Sequence, residues 1–312
     1  ELNMTFPVVF AADRNYMVPA YVAVSSLLRH LDPETAIRIY IMVPEKDDFF
    51  EKVFRDLSPY ICFWYVDQEK LKNMNLNPGI RHISAATFYR FLIPEMLGKE
   101  YDTCLYLDCD IVVTGDISEL LRIPMGDQLL LGVKNHFDAE RDPDFVREYC
   151  AACGIPDLET YVNAGVLLMN IRELERMAPA MIADLQQNCY RFNDQDVLNK
   201  HCCGRIGLLQ PRYNFITYQL RLPMDEKLKE EVRKEADHIV IAHYSAPRKP
   251  WVYRGSLMAD LWEKAYRDSP AAVKKNLLSP YLRQKHRELP VLERIEDLGK
   301  YFVRKCILRS FR

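Results

Sequence analysis

Two aspartates flank a single cysteine in Leu105-Tyr-Leu-Asp-Cys-Asp-Ile-Val-Val113, inside an otherwise apolar, β-branched run. An unpaired carboxylate buried in such a run costs several kcal/mol, so these acids need a partner. Alternate side chains of an extended strand share a face, which predicts Asp108 and Asp110 pointing one way and Cys109 packing on the other. Like charges on one face keep one acid protonated unless a cation lies between them. A divalent metal is the simplest such cation. Two carboxylates leave its coordination incomplete, which suits an ion shared with a phosphorylated substrate. The alternative is a strand end open to solvent, with both acids capping the turn at Thr114-Gly115.

A third ligand stands in Ile239-Val-Ile-Ala-His-Tyr-Ser-Ala-Pro-Arg-Lys-Pro-Trp251, where His243 ends an apolar strand ahead of Arg248 and Lys249. Carboxylates with one imidazole suit Mn2+ better than Mg2+, which remains the alternative ion. The lysine and arginine would neutralise phosphate oxygens beside it. Asn193-Asp-Gln-Asp196 opens a helix and either caps it or orients sugar hydroxyls. Asn163-Ala-Gly165 is a small-residue entry to an interior strand, where a ligand can approach. Arg90, a cation on an apolar helix, needs a carboxylate or phosphate partner.

The first strand-to-helix turn, Ala11-Ala-Asp-Arg-Asn-Tyr16, contains no glycine. It is therefore neither the Gly-x-Gly-x-x-Gly turn of a dinucleotide site nor a P-loop. Asp13 and Asn15 stand at the carboxyl end of a strand, where open α/β sheets bind ligands, and suit a base or ribose. The alternative for Asp13 is a simple helix cap.

The elements that must position these groups read as β-α-β from the start. Strands are expected at Phe6–Ala12, Ile37–Val43, Ile61–Val66, Leu105–Val113, Leu129–Val133, Val162–Asn170, Arg205–Leu209 and His238–His243. Helices are expected at Val18–Leu31, Ser84–Leu97, Ile117–Leu121, Pro143–Cys153, Glu173–Asn188 and Gln195–His201. Arg212–Glu235 is long, polar and irregular before it turns helical. The class is α/β, a mainly parallel mixed sheet flanked by helices.

The 312 residues are 49% hydrophobic and 28% charged with a net charge of −2, a composition that gives no reason to expect nucleic acid. No window reaches the ~18 apolar residues of a spanning helix. The start ELNMTFPVVF reads as no signal peptide, and beginning at Glu1 leaves an upstream segment open. Asn3-Met4-Thr5 is a formal glycosylation sequon. Nine scattered cysteines fit reduced thiols in a cytoplasmic protein. Cys150, Cys153, Cys202 and Cys203 could supply four thiolates to zinc, but adjacent Cys202-Cys203 is poor tetrahedral spacing, and structural thiols are the expectation.

FAADRNY, IRHISAATFYRF, LYLDCDIVV, VNAGVLLMN, FNDQDVLN and HYSAPRKPW follow the order and spacing of the retaining glycosyltransferases of family 8. From Phe6 to Trp251 the chain resembles the bacterial lipopolysaccharide α-galactosyl- and α-glucosyltransferases, and glycogenin more distantly. The resemblance implies a GT-A fold, Mn2+, a UDP-glucose or UDP-galactose donor and a glycan acceptor. It implies Asp108, Asp110 and His243 as metal ligands, Ala11, Asp13, Asn15 and Tyr16 as the uridine pocket, and Arg90 as a donor-binding arginine. Lys249 would hold the diphosphate, while Asn163, Asp194 and Gln195 line the transferred sugar. The full donor-binding set that the resemblance implies is Ala11, Ala12, Asp13, Asn15, Tyr16, Arg90, Asp108, Cys109, Asp110, Asn163, Ala164, His243, Ala246 and Lys249, with Gln195, Asp194 and Lys249 implied as catalytic. Two departures stand out: Ala246 replaces a glycine near the diphosphate, and Lys134-Asn135-His136 stands where relatives carry an aspartate.

A neutral Gln195 is a poor nucleophile, so same-face attack is expected rather than a covalent intermediate. The catalytic domain is expected at 1–256, with acceptor segments 134–142 and 212–235, and a basic helical extension at 257–312. The tail Leu298–Arg312 carries five basic residues and no acid among apolar ones. That predicts peripheral contact with an anionic membrane, on the inner face of the plasma membrane, each cation adding about 1 kcal/mol. Two other functions are the alternatives: a haloacid-dehalogenase-like phosphatase using Asp108, disfavoured by Val112 and the missing downstream acidic motif, and a non-catalytic nucleotide-sugar module.

Overall fold

In chain order the strands are β1 (Phe6–Ala11), β2 (Ile37–Val43), β3 (Ile61–Tyr65), β4 (Thr103–Leu107), β5 (Ile111–Val113), β6 (Leu130–Lys134), β7 (Val162–Asn170), β8 (Ile206–Leu208), β9 (Phe215–Ile216) and β10 (Ile241–His243). The computed structural model describes residues 5–76, 84–137, 142–222 and 226–310, without the side chains of 227–229, 231 and 304–310. Seven strands form one mixed sheet in the order β3-β2-β1-β4-β7-β6-β8, and β5-β10-β9 form a second, small one. In the large sheet β7 runs antiparallel to β4 and β6, and the other pairs are parallel.

Strands buried on both faces read as continuous apolar runs, and β1 illustrates why. Val8 and Phe10 join the hydrophobic cluster on one side of the sheet, Val9 and Ala11 the cluster on the other. The strand order reverses beside β1, with β2 on one flank and β4 on the other, and such a crevice is where open sheets take ligands.

The helices are α1 (Met17–His30), α2 (Asp48–Arg55), α3 (Ile93–Leu97), α4 (Ser118–Leu121), α5 (Pro143–Cys153), α6 (Ile171–Leu174), α7 (Ala178–Gln187), α8 (Asp194–His201), α9 (Glu226–Ala236), α10 (Ala259–Arg267), α11 (Ala271–Val273), α12 (Ser279–Glu288) and α13 (Val291–Ser310). Two helices expected as single units are broken at prolines. Ala85–Leu92 is a 3-10 helix, and α3 restarts with Pro94 in its first turn. Likewise α6 and α7 are separate, with Pro179 opening the second. Proline has no N–H to give to the preceding turn, so it begins a helix better than it continues one.

The most consequential difference concerns Leu105–Val113, expected as a single strand. It is two strands in two sheets: β4 ends at Leu107, β5 begins at Ile111, and Asp108-Cys109-Asp110 is the crossing between them. Strand alternation therefore does not orient the two acids. The crossing has a second effect, because β5 pairs antiparallel with β10 and sets His243 opposite Ile111. The Tyr244 N–H donates to the Asp110 carbonyl (2.9 Å), which locks that register. The small sheet thus carries the imidazole to the aspartates.

Candidate active site

A cavity of about 570 Å³ opens at the carboxyl ends of β1 and β4, a size suited to a small-molecule ligand. Asp108, Asp110 and His243 meet on its floor, with one ligand atom from each lying within 4.8 Å of the others. His243 Nε2 is 3.3 Å from Asp110 Oδ1 and 3.8 Å from Asp108 Oδ2.

Each of these residues has its other polar atom already engaged. Asp108 Oδ1 accepts from the Tyr106 hydroxyl (2.8 Å) and from Arg90 Nη2 (3.0 Å). Asp110 Oδ2 accepts from Lys249 Nζ at 2.6 Å, and that ammonium also donates to the Tyr244 carbonyl at 2.7 Å. His243 Nδ1 lies 2.9 Å from Asn214 Oδ1. The Asn214 amide nitrogen donates in turn to Asn163 Oδ1 (2.9 Å), so its oxygen is left facing the imidazole. The proton is thereby assigned to Nδ1, and the Nε2 lone pair faces the acids. Three spare atoms, two oxygens and a nitrogen, converge on one point. That donor set fits Mn2+. Gly165 makes the convergence possible: a Cβ there would fall 2.2 Å from His243 Cε1 and 2.9 Å from Asp108 Oδ2. The small-residue entry makes room for the ligand side chains themselves.

The charges are balanced by contact. Burial alone would raise the Asp110 carboxyl, but the Lys249 ammonium outweighs it and holds it well below the usual carboxylate range. Asp194 goes the other way, pushed up to about 6 by burial despite Arg90 and the Thr87 hydroxyl. Arg90, only 2% exposed, bridges the two regions by pairing with Asp108 and, at 3.0 Å, with Asp194 Oδ2. Its remaining donors reach the Thr87 carbonyl, the Ala164 carbonyl and the Tyr106 hydroxyl. It acts here as a positioner of both acids.

At the other end of the cavity a one-way chain of hydrogen bonds continues from Asn163. Asn163 Nδ2 donates to Gln195 Oε1 (3.0 Å), Gln195 Nε2 donates to the Tyr161 hydroxyl (3.2 Å), and that hydroxyl donates to Asp196. The Ala164 N–H also donates to Gln195 Oε1 (3.0 Å), so this oxygen is taken twice. Asp196 is fully buried and further accepts from the Tyr149 hydroxyl and the Phe192 N–H. Asn199 ties α8 to β7 by bonding both the N–H and the carbonyl of Val162.

Of the residues expected here, Ala11, Asp13, Tyr16, Arg90, Asp108, Cys109, Asp110, Asn163, Ala164, Asp194, Gln195, His243, Ala246 and Lys249 line the one cavity. Ala12 instead packs in the core, and Asn15 is exposed on the outer side of its turn. Cys109 keeps its thiol away from the cavity centre, donating to the Ala11 carbonyl at 3.2 Å. Asp13 does cap its turn, accepting from Asn15 N–H and Tyr16 N–H, while also lining the cavity. Arg248, expected beside the phosphates with Lys249, turns outward to Glu296 (3.3 Å) and over the Tyr253 ring, so only the lysine enters. Asn135 and His136 line the wall near Phe137, Phe145 and Phe192. Parts of both expected acceptor segments, 138–141 and 223–225, lie outside the described residues, as do Asn3 and residues 80–83 of the Arg90 block.

Cys150, Cys153, Cys202 and Cys203 do not converge on a zinc site. Cys150 and Cys153 belong to the aromatic cluster on α5, Cys202 to the sheet core, and Cys203 is exposed. Among the described residues the Asp108–Asp110–His243 triad is the one such group. Residue type and spacing do not single out Tyr106, Thr87, Tyr161, Asn199 or Asn214. A faint signal existed for Asn199, one helical turn after Gln195; Asn214 sits in irregular chain that offered none.

Comparison with known proteins places the chain among glycosyltransferases. The family profile described as Glycosyl transferase family 8 matches residues 7–255. The lipopolysaccharide 1,3-galactosyltransferase of Salmonella typhimurium is 26% identical over 259 residues, covering 79% of this chain and 73% of that protein. A lipopolysaccharide 1,2-glucosyltransferase of Escherichia coli is 27% identical, covering 85% and 79%. Among solved structures, the galactosyltransferase LgtC, in complex with donor and acceptor sugar analogs, superposes with a TM-score of 0.71 at 27% identity, covering 87% of this chain and 100% of that one.

Proposed function

The chain belongs to glycosyltransferase family 8, with a GT-A fold and a retaining transferase activity, and on that premise we propose that it moves glucose or galactose from a UDP-sugar to a saccharide acceptor of a cell-surface glycan such as lipopolysaccharide, with Mn2+ as cofactor. The observation that carries this reading is the convergence of three spare ligand atoms beside Lys249, in one cavity with Asp194 and Gln195. Asp108, Asp110 and His243 would hold the ion. When bound, it would supply Lewis-acid stabilisation of the charge growing on the departing diphosphate.

The chain's own residues do the rest. Lys249, buried against Asp110, is a fixed cation for the leaving phosphate oxygens. Asp13 and Tyr16 stand where a nucleoside would lie. Gln195 Oε1 is occupied by two N–H donors, and the Asp194 carboxylate by Arg90 and Thr87, so neither is a free nucleophile. Both serve to orient the sugar and to stabilise positive charge at its anomeric carbon. That favours attack on the face from which UDP departs, with the leaving phosphate helping to take the acceptor's proton.

The test is UDP release from UDP-glucose and UDP-galactose, with and without Mn2+. Release that requires Mn2+ and rises with added glycan acceptor supports the reading, while release indifferent to Mn2+ overturns the metal assignment. No observation favours the phosphatase or the non-catalytic module.

Membrane contact is part of the same proposal. No described helix is long and apolar enough to cross a membrane. One side of α13 is pinned to the body, with Tyr253 bonding Glu293 at 2.6 Å and Asp297 accepting the N–H groups of Arg254 and Gly255. The other exposes Val291, Leu292, Ile295, Leu298 and Phe302 at helical spacing. The basic side chains of residues 304–312 lie outside the described residues. An apolar stripe followed by cations suits an anionic bilayer surface. Sedimentation with phosphatidylglycerol vesicles is expected, and should be lost in Leu292→Asp/Ile295→Asp.

A further inference from the structure

Helices α10 to α13 begin after residue 255, beyond the family match, yet they reach the nucleoside end of the cavity. Arg29 of α1 donates to the Ala265 carbonyl on α10 (3.2 Å), and the Tyr244 hydroxyl donates to the Met258 carbonyl (2.8 Å). A run of aromatic contacts follows: Tyr16 meets Trp251 edge-on at 6.0 Å, Trp251 meets Trp262 at 6.0 Å, and Trp262 stacks on Tyr266 at 6.0 Å. The Tyr266 hydroxyl then pairs with Ser279 at the start of α12 (2.7 Å). Leu278, just before α12, is fully buried in the same core.

One contact closes this circuit onto the site. The Tyr281 hydroxyl of α12 donates to the Asn15 carbonyl at 3.0 Å. That carbonyl and the Tyr16 N–H belong to the same peptide unit, and the N–H end is held by Asp13 Oδ1 at 3.1 Å and by the Asp13 carbonyl at 3.0 Å. The peptide plane between Asn15 and Tyr16 is therefore gripped at both ends. Rotating it would break both grips and move the Tyr16 ring, which lines the cavity.

We infer that the helical extension completes the nucleoside-binding end of the donor site, with Tyr281 as a positioning residue that sets affinity for a nucleoside diphosphate by locking the Asn15–Tyr16 peptide. The inference rests on the UDP-sugar reading proposed above. Tyr281→Phe keeps the ring and removes only the hydroxyl. With UDP and Mn2+ measured by calorimetry on the whole chain, that variant should bind UDP about three- to tenfold more weakly. Its donor KM should rise in step while kcat and Tm stay near wild type. Tyr253→Phe, which removes a hydroxyl bond to Glu293 of α13 instead, should leave UDP affinity unchanged. Equal losses in both variants, or an indifferent Tyr281→Phe beside a wild type that binds UDP, overturn the inference alone. A wild type that binds no UDP overturns the donor reading and this inference together.

Discussion

The chain contains two Asp-x-Asp segments in its site, and they behave oppositely. In Asp108-Cys-Asp110 both acids face the cavity and contribute to one ligand group. In Asp194-Gln-Asp196 they diverge: Asp194 faces the cavity and pairs with Arg90, while Asp196 is buried among the hydroxyls of Tyr149 and Tyr161. The backbone accounts for the difference. Asp108–Asp110 is an irregular crossing between two sheets, where two acids flanking a buried cysteine can share a side. Asp194–Asp196 is the first turn of α8, and residues two apart on a helix lie about 200° around its axis, on opposite faces. Equal spacing in sequence carries different geometry in different backbone. The first pair converges with His243, and the second anchors the hydrogen-bond chain that runs through Tyr161 and Gln195.

The comparison breaks most sharply at the first pair. Asp110→Asn should abolish Mn2+ binding by paramagnetic titration and cut transfer about a thousandfold or more. If it leaves both intact, the triad is not the metal site. The second pair should respond differently. Asp196→Asn keeps Mn2+ affinity but weakens the far end of the hydrogen-bond chain through Tyr161 and Gln195. A kcat fall of about ten- to a hundredfold is expected, with a stability loss of about 1–3 kcal/mol in urea titration. Loss of Mn2+ binding in that variant would erase the distinction between the two pairs.

The smallest effect is in pH. Asp194, raised to about 6, must be ionised to pair with Arg90, so transfer should fall as pH drops through about 6. In Asp194→Asn the residual rate should lose that limb. Stability runs in opposite directions at the two sites. A carboxyl raised in the fold takes up a proton on folding, so the Asp194 contribution declines as pH rises from about 4 to 6 and is flat above. Asp110 is held low, so its contribution is present above the ordinary carboxylate value and is lost as pH falls toward its depressed folded value.

Much of the fold was legible because apolar runs and helical spacing are local. β2, α5 and β7 fall where the sequence placed them, and each is a long periodic or continuous apolar segment. Pro94 and Pro179 broke two helices at positions the sequence displayed but hydrophobic spacing outvoted. In the site, chemistry-bearing side chains were legible by type: Asp108, Asp110, His243, Lys249 and Gln195 do line one cavity. Their neutral supports were not, because an asparagine such as Asn214 or a tyrosine such as Tyr161 has no special spacing until a partner lies beside it.

By itself, the sequence determined which side chains carry charge and which segments must be buried, since both follow from residue type and short-range period. Where those charges point was decided only by tertiary pairing. The β5–β10 register set His243 against Asp110, the helical turn sent Asp196 away from Asp194, and Tyr281 met Asn15 across hundreds of residues of intervening chain. Each of these is a contact between distant segments, and long-range contacts leave no periodic trace in the residues that make them.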